Sequence, residues 1–178
     1  MIPEYKMYHG AVLAELVCVM TRPISVDELS EGGRLSSYVL DGRIGLHIKH
    51  STQRLSPWHF TFTSQNYSEL NELSTRCRGV FAVLVCNHDG MVCLPLSELL
   101  EITGEEVGEQ SGIRITRRRG KWYSVSGHLA DDPHKRPDGL GPVVAALGDQ
   151  PSPTLQEVAD AGPTLLGRLA KRISAFGR

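Results

Sequence analysis

Hydrophobic and polar positions alternate most clearly over residues 43 to 50, where Ile44, Leu46 and Ile48 are interleaved with Arg43, Gly45, His47 and Lys49. A period of two predicts a half-buried strand, aliphatic on one face, with His47 and Lys49 side by side on the other. Tyr38, Val39 and Leu40 precede it and run into Asp41-Gly42, a dipeptide suited to the positive φ angles of a two-residue hairpin turn. A polar loop with Pro57 follows. Residues 59 to 63 then alternate again, placing Phe60 and Phe62 on one side. The pattern predicts three antiparallel strands in succession.

Helical spacing brackets these strands. Tyr8, Val12, Leu16 and Val19 recur at three- and four-residue intervals over 5–20, and Leu13, Val17 and Met20 widen the stripe. Residues 21–33 read as a connector broken by Pro23 and Gly32-Gly33, with a short helical turn at 26–29. A second helix is predicted from a capping box formed by Asn66 and Glu69, with Tyr67, Leu70, Leu73 and Cys77 on its apolar face. The run GVFAVLVC over 79–86 is continuous and β-branched, as in a central strand covered on both faces. A turn at 87–90 leads to a strand over 91–96, then a short helix capped by Ser97 and ended by Gly104. A last hairpin over 113–117 and 121–125 turns at Arg118, Arg119 and Gly120.

These elements make an α/β (α+β) fold with a mixed sheet of five to seven strands centred on 80–86, assigned to one domain over 1–127. Beyond Gly127 the composition shifts. Pro133, Pro137, Pro142, Pro151, Pro153 and Pro163 alternate with Gly and Asp, which predicts a flexible linker over 128–162. Over 163–178, Leu165, Leu166, Leu169, Ile173 and Phe176 share a helical face flanked by Arg168, Lys171 and Arg172. This predicts a basic amphipathic helix, suited to docking on the domain or to a protein partner.

Composition narrows the function classes. A net charge of −1 over 178 residues gives no overall field toward nucleic acid or membrane, so such a signal has to be local. No apolar run approaches the roughly 20 residues of a membrane span, and the first residues lack the features of a secretory signal. A cytoplasmic location is the expectation. Cys18, Cys77, Cys86 and Cys93 lack zinc-ligand spacing and sit in apolar or amphipathic runs, as small buried hydrophobes would.

The order helix, three strands, helix, strand over residues 5–88 resembles the αβββαβ core of the PD-(D/E)XK nuclease-like superfamily. That resemblance implies a divalent metal such as Mg²⁺, held by a Glu of the first helix, an Asp of the second strand and a D/E-x-K on the third. Glu15 matches the helix position. The second strand, 43–50, has no Asp, and the third, 59–63, has neither acid nor Lys; the alternative takes Asp41 as the metal ligand and His47-Ile48-Lys49 as a corrupted D/E-x-K. Asp41 cannot substitute, because the turn leaves Lys49 roughly 20 Å along the next strand at about 3.3 Å per residue. The resemblance therefore implies a nuclease-like scaffold with a degenerate centre around Glu15, His47 and Lys49, no metal, and Mg²⁺ only if cleavage survives.

Two basic sites remain. His47, Lys49, Arg54 and His59 are expected to converge with Trp58, where histidine moves protons and cations hold phosphate. Trp58 itself is either a core anchor or a stacking platform. Arg114, Arg117, Arg118, Arg119 and Lys121 lie within eight residues and run into Trp122 and Tyr123, a combination suited to a phosphate backbone with bases to stack. The expected function is a nucleic-acid-associated domain binding DNA or RNA through Arg54, Trp58, Arg117, Arg118, Arg119, Lys121 and Trp122. The alternatives are a non-catalytic protein-interaction module and a metal-dependent nuclease.

Overall fold

The computed structural model describes residues 1–29, 36–104 and 111–148. Along the chain run α1 (Glu4–Val19), β1 (Val26–Glu28), β2 (Ser37–Leu40), β3 (Ile44–Ser51), β4 (Trp58–Phe62) and α2 (Ser64–Arg76). They are followed by β5 (Gly79–Cys86), β6 (Met91–Pro95), α3 (Leu96–Thr103), β7 (Ser111–Thr116), β8 (Ser124–Ser126) and α4 (Gly141–Leu147). The class is α+β, as expected. Strands β1-β2-β3-β5-β6 form a mixed main sheet, and β4-β7-β8 form a small antiparallel sheet.

Asp41 and Gly42 take the expected positive φ, 50° and 62°, but Leu40 stands opposite Ile44, so the loop holds three residues, 41–43, rather than two. Strand β5 then pairs with β3 in parallel, from Ile44 opposite Gly79 to Ser51 opposite Cys86. Ile44, Leu46 and Ile48 pack with Phe81, Val83 and Val85 against Val12 and Leu16 of α1 and Val143 and Leu147 of α4. The opposite face, carrying Val80, Ala82 and Leu84, packs on Leu70 and Leu73 of α2, Leu99 and Ile102 of α3, and the inner face of the small sheet. A Cβ at Gly45 would stand 3.0 Å from the Leu73 side chain, so glycine there is what lets α2 lie close.

Several expectations change. β3, not β5, holds the middle of the main sheet. β5 takes the second edge of β3, and β4 pairs with β7 in the small sheet instead, Trp58 opposite Ile115. Residues 26–28 are an edge strand paired with β2 rather than a turn of helix. Thr63, not Asn66, caps α2. Its side chain accepts from the Asn66 backbone, and the Asn66 side chain answers at the Thr63 backbone.

The largest change lies beyond Gly127, where the expected linker is packed through residue 148. Tyr123 bridges Arg136 and Ser126 bridges Asp131, while Leu140, Val143 and Leu147 are buried. Proline does not prevent this, because single bridges need few N–H donors and Pro142 occupies the first turn of α4, where its missing donor costs nothing. Residues 149–178, including the expected helix over 163–178, lie outside the described residues. Among the described residues no helix is long and apolar enough to cross a membrane.

Candidate nucleic-acid interface

The first candidate cluster lies under α2 and is not a solvent-facing strand surface. His47 is 0% exposed, because α2 covers the face of β3 that carries it. Ser37 Oγ stands 3.0 Å from His47 Nδ1 and donates to Glu69 Oε2 at 3.2 Å. Glu69 Oε2 is itself 3.4 Å from the same His47 Nδ1. One nitrogen thus faces both the hydroxyl and the acid, while Nε2 is buried without a hydrogen-bond partner among the described residues. That geometry cannot relay a proton from serine through imidazole to carboxylate, which needs both ring nitrogens.

Lys49 Nζ donates to Asn66 Oδ1 at 2.8 Å and lies 5.2 Å from the centre of the Phe62 ring. Burial lowers the pKa of Lys49 and, against the pull of Glu69, that of His47. Burial alone would raise Glu69, but hydrogen bonds from His47 and Ser37 and the Lys49 charge carry it below the usual carboxylate value. The cluster fastens α2 to the main sheet.

Glu15 does not join it. It lies on α1, across the main sheet, with Oε1 3.9 Å from where a Cβ of Gly139 would be. The sheet therefore separates Glu15 from His47 and Lys49, and the catalytic set drawn from the sequence does not assemble. One carboxylate, an imidazole, a hydroxyl and an amide also make a poor donor set for Mg²⁺, which requires several oxygens. Among the described residues no group of three or more His, Cys, Asp or Glu is placed to hold a metal.

The second cluster is built on the small sheet. Trp58 is 2% exposed, donates from Nε1 to the Gln53 carbonyl at 2.8 Å, and meets Tyr123 edge-on at 6.2 Å. It is an anchor, not a stacking platform. Arg54 is exposed in the loop before it, and His59 faces outward opposite Arg114. The expected convergence of Arg54, His59 and Trp58 with His47 and Lys49 does not occur.

Arg117 is also committed to the fold. Its Nη1 donates to Tyr123 Oη at 2.7 Å and Asp89 Oδ2 at 3.0 Å, its Nε donates to the Lys121 carbonyl at 2.6 Å, and the guanidinium lies 4.4 Å over the Tyr123 ring. The Tyr123 hydroxyl donates to the same Asp89 oxygen at 2.8 Å. Burial, the Asp89 hydrogen bond and the nearby acidic groups hold the Tyr123 phenol well above its ordinary range.

Arg118, Arg119, Lys121 and Trp122 stand in the turn between β7 and β8. Gly120, at φ 70°, reverses the chain there, and the Lys121 N–H bonds the Arg118 carbonyl at 2.9 Å. Trp122 is 61% exposed. None of the three cations has an ion-pair partner among the described residues.

Beside this turn runs a groove of about 860 Å³ lined by Arg117, Arg118, Lys121, Trp122 and Lys135, with Ser56, Thr116, Gly120 and Ser124. No carboxylate of the described residues lines it. Lys135 reaches it from the segment expected to be a linker, held by the Tyr123–Arg136 bridge and by a contact to the Ser124 hydroxyl. Its signal in the sequence was the basic tripeptide His134-Lys135-Arg136; Arg136 itself is taken up by Asp132 and Glu98. Arg114 extends the positive face across the sheet, opposite Ser126. A row of cations, of which Arg118, Arg119 and Lys121 have no ion-pair partner among the described residues, beside an exposed indole is chemically equipped to hold phosphates and stack a base. Comparison with protein-family models, with curated proteins and with solved structures finds no match, so the chemistry of this face carries the functional reading.

Proposed function

We propose that the protein is a non-catalytic nucleic-acid-associated domain that holds a single strand of DNA or RNA along the basic groove of the small sheet. The observation that supports this most is the groove lined by Arg118, Lys121, Lys135 and Trp122, with no acidic side chain of the described residues along it. In a chain of net charge −1, such local segregation provides the attraction to phosphate that the whole molecule lacks. An exposed indole favours unpaired bases, which offer a free π-face. The reading keeps the nuclease-like scaffold as a binding platform and drops the metal chemistry. Four unpaired cysteines accord with a cytoplasmic setting.

Fluorescence anisotropy with labelled oligonucleotides over a salt series tests the reading. Contacts from Arg118, Arg119, Lys121 and Lys135 give a slope of log K against log salt near −3 for a single strand, at about 0.7 per contact. Arg118→Ala with Arg119→Ala lowers that slope by about 1.4. Trp122→Ala costs about 1–3 kcal/mol of affinity and leaves the slope unchanged. Absence of binding to DNA and RNA at low salt refutes the proposal and leaves a protein-interaction module in its place. Cleavage with Mg²⁺ or Mn²⁺ that Glu15→Ala abolishes would restore the nuclease reading.

A further inference from the structure

The basic groove opens onto the outer face of the small sheet. Alternation along β4, β7 and β8 turns Trp58, Phe60, Ile113, Ile115 and Val125 inward and leaves the residues between them outside. Register sets the outer residues in rows. Thr116 stands opposite Ser124, Arg114 lies between His59 and Ser126, and Gly112 faces Thr61. The first of these rows lines the groove. Successive rows are about 7 Å apart, two residues at about 3.4 Å each, which is close to the step of one nucleotide in an extended strand. His59, Thr61, Gly112 and Arg114 are exposed, and a Cβ added at Gly112 would meet nothing within 4 Å.

A strand held in the groove therefore has a surface to run onto. Arg114 has no ion-pair partner among the described residues and supplies a phosphate contact in the second row. Asp131, bridged to Ser126 at the far edge of β8, sets an acid at one end of that row and turns the path toward β4. There His59 offers a ring for a further base.

Between these contacts the surface is made of hydroxyls. Those of Thr61 and Thr116 form no hydrogen bond among the described residues. Ser56 Oγ accepts the Arg117 N–H at 3.1 Å and Ser124 Oγ accepts from Lys135, so each keeps an O–H to donate. Ser126 Oγ donates to the Arg114 carbonyl at 3.2 Å and keeps lone pairs to accept. A strand lying here covers these groups and takes their water away. Deoxyribose puts a CH₂ against them and leaves them unsatisfied, whereas a ribose 2′-hydroxyl, donor and acceptor at once, restores the lost bond.

We infer that the strand is RNA, and that it runs from the groove across the outer face of the small sheet with its 2′-hydroxyls on Thr116, Ser124 and Ser126. This rests on the nucleic-acid function proposed above and adds the sugar to it.

The full chain is titrated by fluorescence anisotropy with labelled oligouridine, oligodeoxyuridine and 2′-O-methyl oligouridine of equal length, which share base and charge. Oligouridine is expected to bind about tenfold tighter than either of the others, as one or two hydrogen bonds supply. Thr116→Val with Ser126→Ala should reduce that ratio to about threefold or less by weakening the ribose strand alone. Equal affinity for ribose and deoxyribose overturns the inference and leaves the proposed function standing. A 2′-O-methyl strand that binds as tightly as the ribose strand also overturns it, with no variant required. So does a ribose preference that survives the double substitution, because the sugar is then read elsewhere. Binding of none of the three at low salt overturns the proposed function and this inference together.

Discussion

Arg117 and Arg118 are adjacent and chemically identical, yet their replacement by alanine is expected to damage different properties. Arg117, 20% exposed, covers the Tyr123 ring and hydrogen-bonds its hydroxyl and the Lys121 carbonyl. The stacked cation contributes about 1 kcal/mol and each of those hydrogen bonds a further 0.5–1.5 kcal/mol or so. The pair with Asp89, whose side chain is 38% exposed, adds well under about 1 kcal/mol after screening. Arg117→Ala should therefore cost about 2–3 kcal/mol, or about 5–10 °C in Tm for a packed unit of this size. Arg118→Ala should stay within about 0.5 kcal/mol, since its side chain is exposed and unpaired among the described residues. Binding reverses the order. Below the melting range, Arg118→Ala lowers the salt slope by about 0.7, and Arg117→Ala leaves it unchanged. Urea denaturation and anisotropy titrations on the same preparations read both effects. Equal midpoints for Arg117→Ala and wild type, or a slope that falls for Arg117→Ala and not for Arg118→Ala, would refute this division of roles.

Three further outcomes follow from the packing. Burial, with the imidazoles of His50 and His47 nearby, pushes His9 down to about 4, and its Nδ1 lies 2.9 Å from the Tyr38 hydroxyl. Because the folded value is below the unfolded one near 6.5, the unfolded chain binds more protons in between. Stability is then fully present above about pH 6.5 and lost as pH falls toward 4, by roughly 3 kcal/mol at most from this group. His9→Gln should flatten the pH profile of the urea midpoint across that window; an unchanged profile would exclude His9 as its source. Asn66 Oδ1 receives both the Thr63 backbone N–H and Lys49 Nζ, so Asn66→Ala should cost about 1–2 kcal/mol in thermal unfolding. A Cβ at Gly127 would meet Ile102 Cγ2 at 2.1 Å and its carbonyl oxygen at 2.4 Å. Gly127→Ala should therefore destabilise by about 2 kcal/mol or more, and a neutral result would show that the segment after β8 is not packed on α3.

What the sequence determined by itself was local. The two-residue period of β3, the stripe of α2, the positive-φ turn at Asp41-Gly42 and the apolar run of β5 all follow from neighbours within a few positions, and each formed within a residue or two of its expected place. The clustering of Arg118, Arg119, Lys121 and Trp122 was equally plain, because a tight turn keeps sequence neighbours together. Tertiary structure alone decided what covers each face and which edge each strand takes. Alternation places His47 and Lys49 on one side of β3, but whether that side meets water or α2 depends on Gly45 admitting Leu73. Pairing of β5 with β3 is a contact between distant residues, and with it β4 stands in another sheet and α1 on the face opposite Lys49. The same holds for the cations: Arg117 is used up by Asp89 and Tyr123, while Lys135 is delivered to the groove by a bridge between residues thirteen apart. Local preference sets the conformation of a segment, and long-range pairing sets its partners; the site depends on the second.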